Sequence, residues 1–161
     1  MSKFPDLKRP FDFIASLGGI GLIPFAPGTF GSIFASIIFV ILSHVVDMLI
    51  FTACMVLIAI WVCEQASKNL AQKDHKSIVI DELAGMWVAL IPVLYFASNQ
   101  DERIIYTCLA FIFFRIFDIL KPFPISYFDK KYKNGFGIVF DDIIAGIISA
   151  TFSSLIIVFL I

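Results

Sequence analysis

Four short clusters in the 161-residue sequence combine residue types that bind metal ions or phosphate. Residues 80–87 (IDELAGMW) and residues 140–146 (FDDIIAG) each carry two adjacent acids. Residues 114–122 (FRIFDILKP) carry one arginine, one aspartate and one lysine, and residues 24–32 (PFAPGTFGS) are uncharged but contain glycine and hydroxyl groups. Adjacent carboxylates repel each other unless a cation or a basic group offsets their charge, so the acidic pairs call for a partner.

The acidic clusters indicate a site for a hard cation. Carboxylates that lack accompanying Cys or multiple His ligands suit Mg²⁺, which is the predicted cofactor. The predicted metal ligands are Asp81, Glu82, Asp118, Asp141 and Asp142. The same five carboxylates, together with Arg115, are the candidate catalytic residues.

Basic and hydroxyl residues near these acids favour a phosphate-bearing ligand. Arginine and lysine neutralise phosphate oxygens, and the hydroxyl and backbone N–H groups of residues 24–32 precede a predicted helix start, which favours an anion. The predicted phosphate-binding residues are Thr29, Gly31, Ser32, Arg115, Lys121 and His75. His75 lies six residues before Asp81 and fits a ligand or general acid as well as it fits an ordinary loop residue.

Each cluster also has a purely structural explanation, which the spacing leaves open. Asp81 and Asp141 can act as helix caps, because carboxylates favour helix N-termini. Arg115 and Asp118, three residues apart, can form a private ion pair on one helix face. Lys121 can anchor a helix at the membrane interface before a proline ends it. Three acidic clusters and an arginine at one face favour the cation and phosphate site.

Small residues four positions after the acids predict close helix packing. Gly85 follows Asp81 at this interval, and Ala145 and Gly146 follow the second acidic pair at the same interval. Small residues let a neighbouring helix approach closely. We therefore expect the carboxylates to be held against a partner helix.

The elements that must position these clusters are apolar helices. Hydrophobic residues make up 60% of the sequence and charged residues only 16%, whereas soluble domains carry about 25% charged residues. Since a membrane-crossing helix needs about 20 apolar residues, the sequence predicts an all-α, multi-pass membrane bundle of about five spans, formed by a single domain over residues 1–161. The predicted spans are residues 30–46, 48–63, 83–97, 104–120 and 143–161. The first two can instead form one bent hairpin.

The positions of the lysines and arginines predict the orientation of the bundle. They concentrate before the first span and in the connections from the second to the third and from the fourth to the fifth. The positive-inside rule then places the N-terminus and all four clusters at the cytoplasmic face. The net charge of −1 gives no basis for nucleic-acid binding, and the sequence predicts no oligomeric state.

Four ordered motifs resemble those of bacterial phosphatidylglycerophosphatase A. They are residues 26–32 (APGTFGS), 74–87 (DHKSIVIDELAGMW), 114–125 (FRIFDILKPFPI) and 137–146 (GIVFDDIIAG). The resemblance implies a Mg²⁺-dependent lipid phosphatase of the bacterial inner membrane, with its active site facing the cytoplasm. Its implied substrate is the membrane phospholipid phosphatidylglycerophosphate, which water would convert to phosphatidylglycerol and phosphate in phospholipid biosynthesis.

Two other functions use a similar set of residues. A lipid-headgroup phosphotransferase also needs acids and Mg²⁺ at the interface, but its Asp-Gly-x-x-Ala-Arg signature is missing from the sequence. A small cation carrier would place its acids near mid-span, whereas these acids are predicted to lie at helix ends.

Overall fold

A computed structural model describes residues 4–68, 70 and 73–160, and every regular element within them is helical. The helices are α1 (Pro10–Ala15), α2 (Pro27–Leu42), α3 (Met48–Ser67), α4 (Ile80–Leu90), α5 (Val93–Phe96), α6 (Gln100–Leu120), α7 (Ile125–Lys131) and α8 (Gly135–Leu160), with a 3₁₀ turn at Ile20–Leu22. The predicted all-α class is confirmed for this part of the chain.

Two of the described helices are long and apolar enough to cross a membrane. They are α3 and α8, with mean hydropathies of 2.0 and 2.1 over their best windows. Helix α2 is apolar but has only 16 residues. The structure therefore supports membrane association through two helices, while the five spans and their orientation stay predictions.

The third predicted span is divided into two helices. Helix α4 has 11 residues, and α5 has four. Pro92 stands between them, and a proline lacks the N–H that a helix needs and clashes with the preceding turn. Hydropathy alone does not detect this break, because every residue from Leu83 to Ala97 is apolar or small.

Helix α8 begins before the residue predicted to open the last span. Its first N–H, on Gly135, donates to Glu64 Oε2 of α3 over 2.6 Å, and the N–H of Gly137 donates to Asn134 Oδ1 over 3.0 Å. These side chains satisfy backbone donors at the helix start. Asp141 is therefore the seventh residue of α8, which excludes the explanation that it caps this helix.

Helix α4 lies at the centre of the bundle and packs against α2, α3, α6 and α8. Its contact with α8 is close because glycines face each other there. A Cβ at Gly85 would lie 2.6 Å from the carbonyl oxygen of Asp142, and a Cβ at Gly146 would overlap the carbonyl oxygen of Gly85. The predicted close approach at these small residues is confirmed.

A second contact of α4 fixes its rotation. The buried indole of Trp87 donates from Nε1 to the carbonyl oxygen of Ala35 in α2 over 2.9 Å. On the opposite side, the hydroxyl of Tyr106 in α6 donates to the carbonyl oxygen of Ala89 over 3.1 Å. Buried indole and phenol groups need such partners, and these two hold α4 between α2 and α6.

An apolar groove of about 650 Å³ lies beside the N-terminal half of α3 and the C-terminal half of α8. Ala53 of α3 and Ala150 of α8 are among the residues that line it. None of the acids from the three charged clusters lines this groove. They line a separate cavity, near the N-terminal end of α8.

Candidate active site

A polar cavity of about 220 Å³ lies where the N-terminal ends of α4 and α8 meet the C-terminal end of α6. Its lining residues are Asp74, Lys76, Ile78, Asp81, Glu82, Asp118, Lys121, Ile138, Asp141 and Asp142. All five predicted metal ligands are brought together here, from three helices that are far apart in the sequence.

Three of these carboxylates lie close enough together to hold a metal ion. Asp81, Glu82 and Asp142 each offer one oxygen, and the three oxygens all lie within 4.8 Å of one another. Two oxygens on opposite sides of a Mg²⁺ ion, each bound at about 2.1 Å, are about 4.2 Å apart. Oxygens that lie within 4.8 Å of one another are therefore compatible with one shared Mg²⁺ ion.

The burial of the acids favours a bound cation. Asp81, Asp141 and Asp142 are only 6%, 3% and 4% exposed. Glu82 Oε2 and Asp141 Oδ1 are buried without a hydrogen-bond partner among the described residues. A buried carboxylate without a partner costs free energy, and a coordinating cation would remove that cost.

Arg115 and Asp118 form the ion pair that their spacing suggested. Arg115 Nη1 donates to Asp118 Oδ2 over 2.7 Å, and both side chains are 14% exposed. The same nitrogen lies 3.4 Å from Ser32 Oγ of α2, and Arg115 Nε is buried without a partner among the described residues. Arg115 therefore does more than pair with Asp118. It also contacts α2, and among the described residues its Nε has no acceptor, so it could donate to an anion.

Lys121 is shared between two carboxylates. Its Nζ donates to Asp129 Oδ1 of α7 over 2.9 Å and to Asp141 Oδ2 of α8. Burial opposes the charged form of Lys121, but attraction to Asp141 and the hydrogen bonds to both acids outweigh it and raise the pKa of this lysine above its usual value. The attraction to the two acids therefore favours the charged form of Lys121 at the edge of the cavity.

The ion pairs leave the cavity with uncompensated negative charge. Asp118 is paired with Arg115, and Asp141 is paired with Lys121. Among the ion pairs of the described residues, none includes Asp81, Glu82 or Asp142. These are the same three carboxylates whose oxygens converge, so charge balance and geometry point to the same place for a cation.

The glycine-rich segment lies inside a helix, which corrects the prediction that it precedes a helix start. Helix α2 begins at Pro27, and the N–H groups of Thr29 and Phe30 donate to the carbonyl oxygen of Ala26. Gly31 is buried, and a Cβ there would lie 3.1 Å from Cβ of Val79. Of the three residues predicted in this segment to bind phosphate, only Ser32 reaches a charged residue of the site.

Gly28 is a site residue that the sequence interpretation missed. A Cβ at this position would overlap Glu82 Oε1 and lie 3.3 Å from Arg115 Nη1. Glycine is needed here because α2 passes close to Glu82, a predicted metal ligand, and to Arg115, a predicted phosphate-binding residue. The signal in the sequence is the pair of glycines in residues 26–32, but their spacing does not tell which one faces the acids.

Gly28→Ala is expected to reduce turnover at least about tenfold, because the added methyl group must displace the Glu82 carboxylate. Gly31→Ala is the matched control, since its methyl group meets only Val79 and should affect stability more than turnover. The measurement is the rate of phosphate release from the implied lipid substrate, per mole of folded protein in detergent. Equal turnover in the two variants would show that the Gly28 contact does not position Glu82.

His75 lies apart from the cavity that it was predicted to serve. Its ring packs edge-on against Phe4 with centroids 4.9 Å apart, and its Nδ1 accepts a hydrogen bond from the N–H of Ser77 over 3.2 Å. Burial and the neighbouring Lys76 lower the pKa of His75, which favours the neutral ring. This position supports the loop-residue alternative and does not support phosphate binding by His75.

Three further charged residues at the site were not predicted. Asp74 and Lys76 line the cavity, and Asp129 binds Lys121 from outside it. Asp74 and Lys76 precede Asp81 by seven and five residues, within the same motif of residues 74–87, so membership of that motif was a usable signal. Asp129 lies in α7, a helix within a connection that was predicted only as a loop, and its role depends on how α7 folds back.

The sequence of this chain is similar to known proteins over most of its length. A family model described as Phosphatidylglycerophosphatase A matches residues 13–157. The chain is 42% identical over 144 residues to a phosphatidylglycerophosphatase A of Haemophilus influenzae, over 88% of this chain and 85% of that protein. It is 37% identical over 147 residues to a phosphatidylglycerophosphatase A of Escherichia coli, over 89% and 81%. No solved structure matches the chain.

Proposed function

Because the chain belongs to the phosphatidylglycerophosphatase A family, we propose that it hydrolyses phosphatidylglycerophosphate to phosphatidylglycerol and phosphate. The family match covers residues 13–157, which include the whole cavity. The resemblance found in the four sequence motifs and the family match agree on the same activity.

One observation carries the proposal beyond family membership. Asp81, Glu82 and Asp142 converge without an ion pair among the described residues. Lys121 lines the same cavity, and Arg115 faces Gly28 together with Glu82. Clustered carboxylates with neighbouring cations are the combination that binds a magnesium ion together with a phosphate group. We therefore propose that Mg²⁺ is the cofactor, held by Asp81, Glu82 and Asp142, with Asp118 and Asp141 beside it.

The residues in and beside the cavity would have different roles in the reaction. Bound Mg²⁺ would lower the pKa of water and offset charge on the phosphoryl oxygens. Arg115 and Lys121 would bind the phosphate oxygens and hold the phosphorus near the acids. Glu82 or Asp142 would take a proton from the attacking water. The new bond joins the water oxygen to phosphorus, and the bond from phosphorus to the glycerol oxygen breaks. The protonated carboxylate would then return its proton to the glycerol oxygen, which becomes the hydroxyl of phosphatidylglycerol.

The proposed setting is the cytoplasmic face of a bacterial inner membrane. Helices α3 and α8 are long and apolar enough to cross a bilayer. The lysine-rich segments adjoin the end of the bundle that holds the cavity, as the positive-inside rule requires of a cytoplasmic end. A lipid phosphomonoester in that leaflet would present its phosphate at the depth of Arg115 and Lys121. The five-span topology belongs to this proposal.

Phosphate release by the purified protein in detergent tests the proposal. Phosphatidylglycerophosphate with Mg²⁺ should yield phosphatidylglycerol and one phosphate per lipid, and excess EDTA should abolish the reaction until Mg²⁺ is restored. Phosphatidic acid, a phosphomonoester without the second glycerol, is the comparison substrate. No release from phosphatidylglycerophosphate would overturn the proposed activity, and full activity in EDTA would overturn the proposed cofactor.

Product analysis in the same assay tests the phosphotransferase, and a separate Mg²⁺ flux measurement in vesicles tests the cation carrier. The family match favours neither function. A phosphotransferase would yield a second lipid product in proportion to the phosphatidylglycerophosphate consumed. A cation carrier would move Mg²⁺ into vesicles without lipid hydrolysis. Release of free phosphate, with phosphatidylglycerol as the sole lipid product, is expected.

A further inference from the structure

The position of the Lys121 ammonium group depends on a residue outside the cavity. Lys121 caps the C-terminal end of α6 and lies at the edge of the cavity. One of its partners, Asp141, lines the same cavity, but the other, Asp129, lies on α7 and is not part of the lining. Among the residues that the structure describes, Lys121 is the cavity residue that Asp129 binds.

The second partner of Asp129 is weaker and more exposed. Lys133 Nζ lies 3.8 Å from Asp129 Oδ2, and its side chain is 58% exposed. The Lys121 contact is 2.9 Å long, and the two side chains are 27% and 25% exposed. A short contact at lower exposure fixes geometry better than a long one in water, so Lys121 is the partner that Asp129 holds.

A lysine needs such a holder because its ammonium group ends a flexible four-carbon stem. Asp141 is the closer of the two acidic partners of Lys121, and this contact alone would leave the lysine stem free to pivot about a single point. With two acidic partners, one on α7 and one on α8, the ammonium group is held at two points and keeps a third N–H free. The charge of Asp141 is then only partly neutralised, which suits its place beside the proposed cation.

We propose that Asp129 is a positioning residue that holds the Lys121 ammonium group where it can bind the phosphate of the lipid substrate. The inference rests on the proposed phosphatase function and deepens it by assigning a residue on α7. Asp129 contacts neither the substrate nor the proposed metal, and it acts through Lys121 alone.

A double-mutant cycle on phosphate release tests this assignment. Asp129→Asn is expected to lower kcat/KM about tenfold, with most of the change in KM, because a displaced lysine weakens phosphate binding. Lys121→Met should lower kcat/KM by more. In the Lys121→Met background, Asp129→Asn should change kcat/KM less than twofold, because its target is gone. Asp129→Glu should recover part of the loss.

Controls keep this result separate from a general structural role. Lys133→Gln removes the other cation beside Asp129 and should leave kcat/KM within twofold of wild type. Equal losses from Asp129→Asn in both backgrounds would overturn the inference, as would unfolding of Asp129→Asn in detergent while Lys121→Met stays folded. Wild-type protein that releases no phosphate would overturn the proposed function itself, and an active wild type with an unaffected Asp129→Asn would overturn the positioning role alone.

Discussion

Asp142→Asn is expected to lower kcat/KM for phosphate release at least about a hundredfold while the protein stays folded. Asparagine has nearly the same size as aspartate but carries no charge. The variant therefore removes one of the three carboxylates that converge without a cation partner, and leaves the helix crossing intact. The measurement is steady-state phosphate release in detergent, with Asp101→Asn, an exposed acid at the other end of α6, as the matched control.

Thermal stability gives a second measurement of the same variant that does not depend on turnover. The buried acids of the wild type repel one another without metal, so Mg²⁺ should raise its unfolding temperature. At a Mg²⁺ concentration about 100 times its dissociation constant, binding to the native state adds about 2.7 kcal/mol to the free energy of unfolding. Asp142→Asn should lose most of this effect. Equal stabilisation of both proteins by Mg²⁺ would rule out Asp142 as a ligand.

The second large effect is expected at the crossing of α4 and α8. Gly85→Leu places a branched side chain where even a Cβ would lie 2.6 Å from the carbonyl oxygen of Asp142 and 2.8 Å from the ring of Phe114. Overpacking of a filled core commonly costs about 1–3 kcal/mol, and a clash with backbone on a second helix puts this variant at or above the upper end. The free energy of unfolding in detergent measures it.

The same substitution should also abolish activity, because α4 carries two of the converging carboxylates and α8 carries the third. Gly85→Ala should give a smaller loss of both stability and turnover. Ala53→Leu is the matched control, since it adds a large apolar side chain that the 650 Å³ groove can accommodate. If Gly85→Leu were as stable as Ala53→Leu, the close contact of the two helices would not be a requirement of the fold.

Much of the site could be predicted from the sequence because its residues lie in short motifs with helical spacing. The acids of residues 80–87 and 140–146 stand out against apolar surroundings, where charge is costly. Arg115 and Asp118 share a helix face by their spacing of three, and Gly85 and Gly146 indicate the faces that come together. These inferences needed only local periodicity and the cost of burying charge.

The rest depends on contacts between segments that are distant in the sequence. Glu64 of α3 satisfies the first N–H of α8, so α8 begins earlier than its apolar run. Gly28 faces Glu82 only because α2 packs on α4, and Asp129 meets Lys121 only because α7 folds back. Hydropathy and local spacing do not predict contacts between such distant segments. Hydropathy also does not predict the helix break at Pro92.

The crossing of α4 and α8 also has a consequence for biosynthesis. Asp81 and Asp141 are 60 residues apart in the chain, so a ribosome that adds roughly 5–20 residues per second needs about 3–12 s to get from one to the other. During this interval Asp81 and Glu82 can meet α2 and α3 but lack the contact with α8 that brings Asp142 beside them. The three converging carboxylates therefore come together only after α8 has been synthesised.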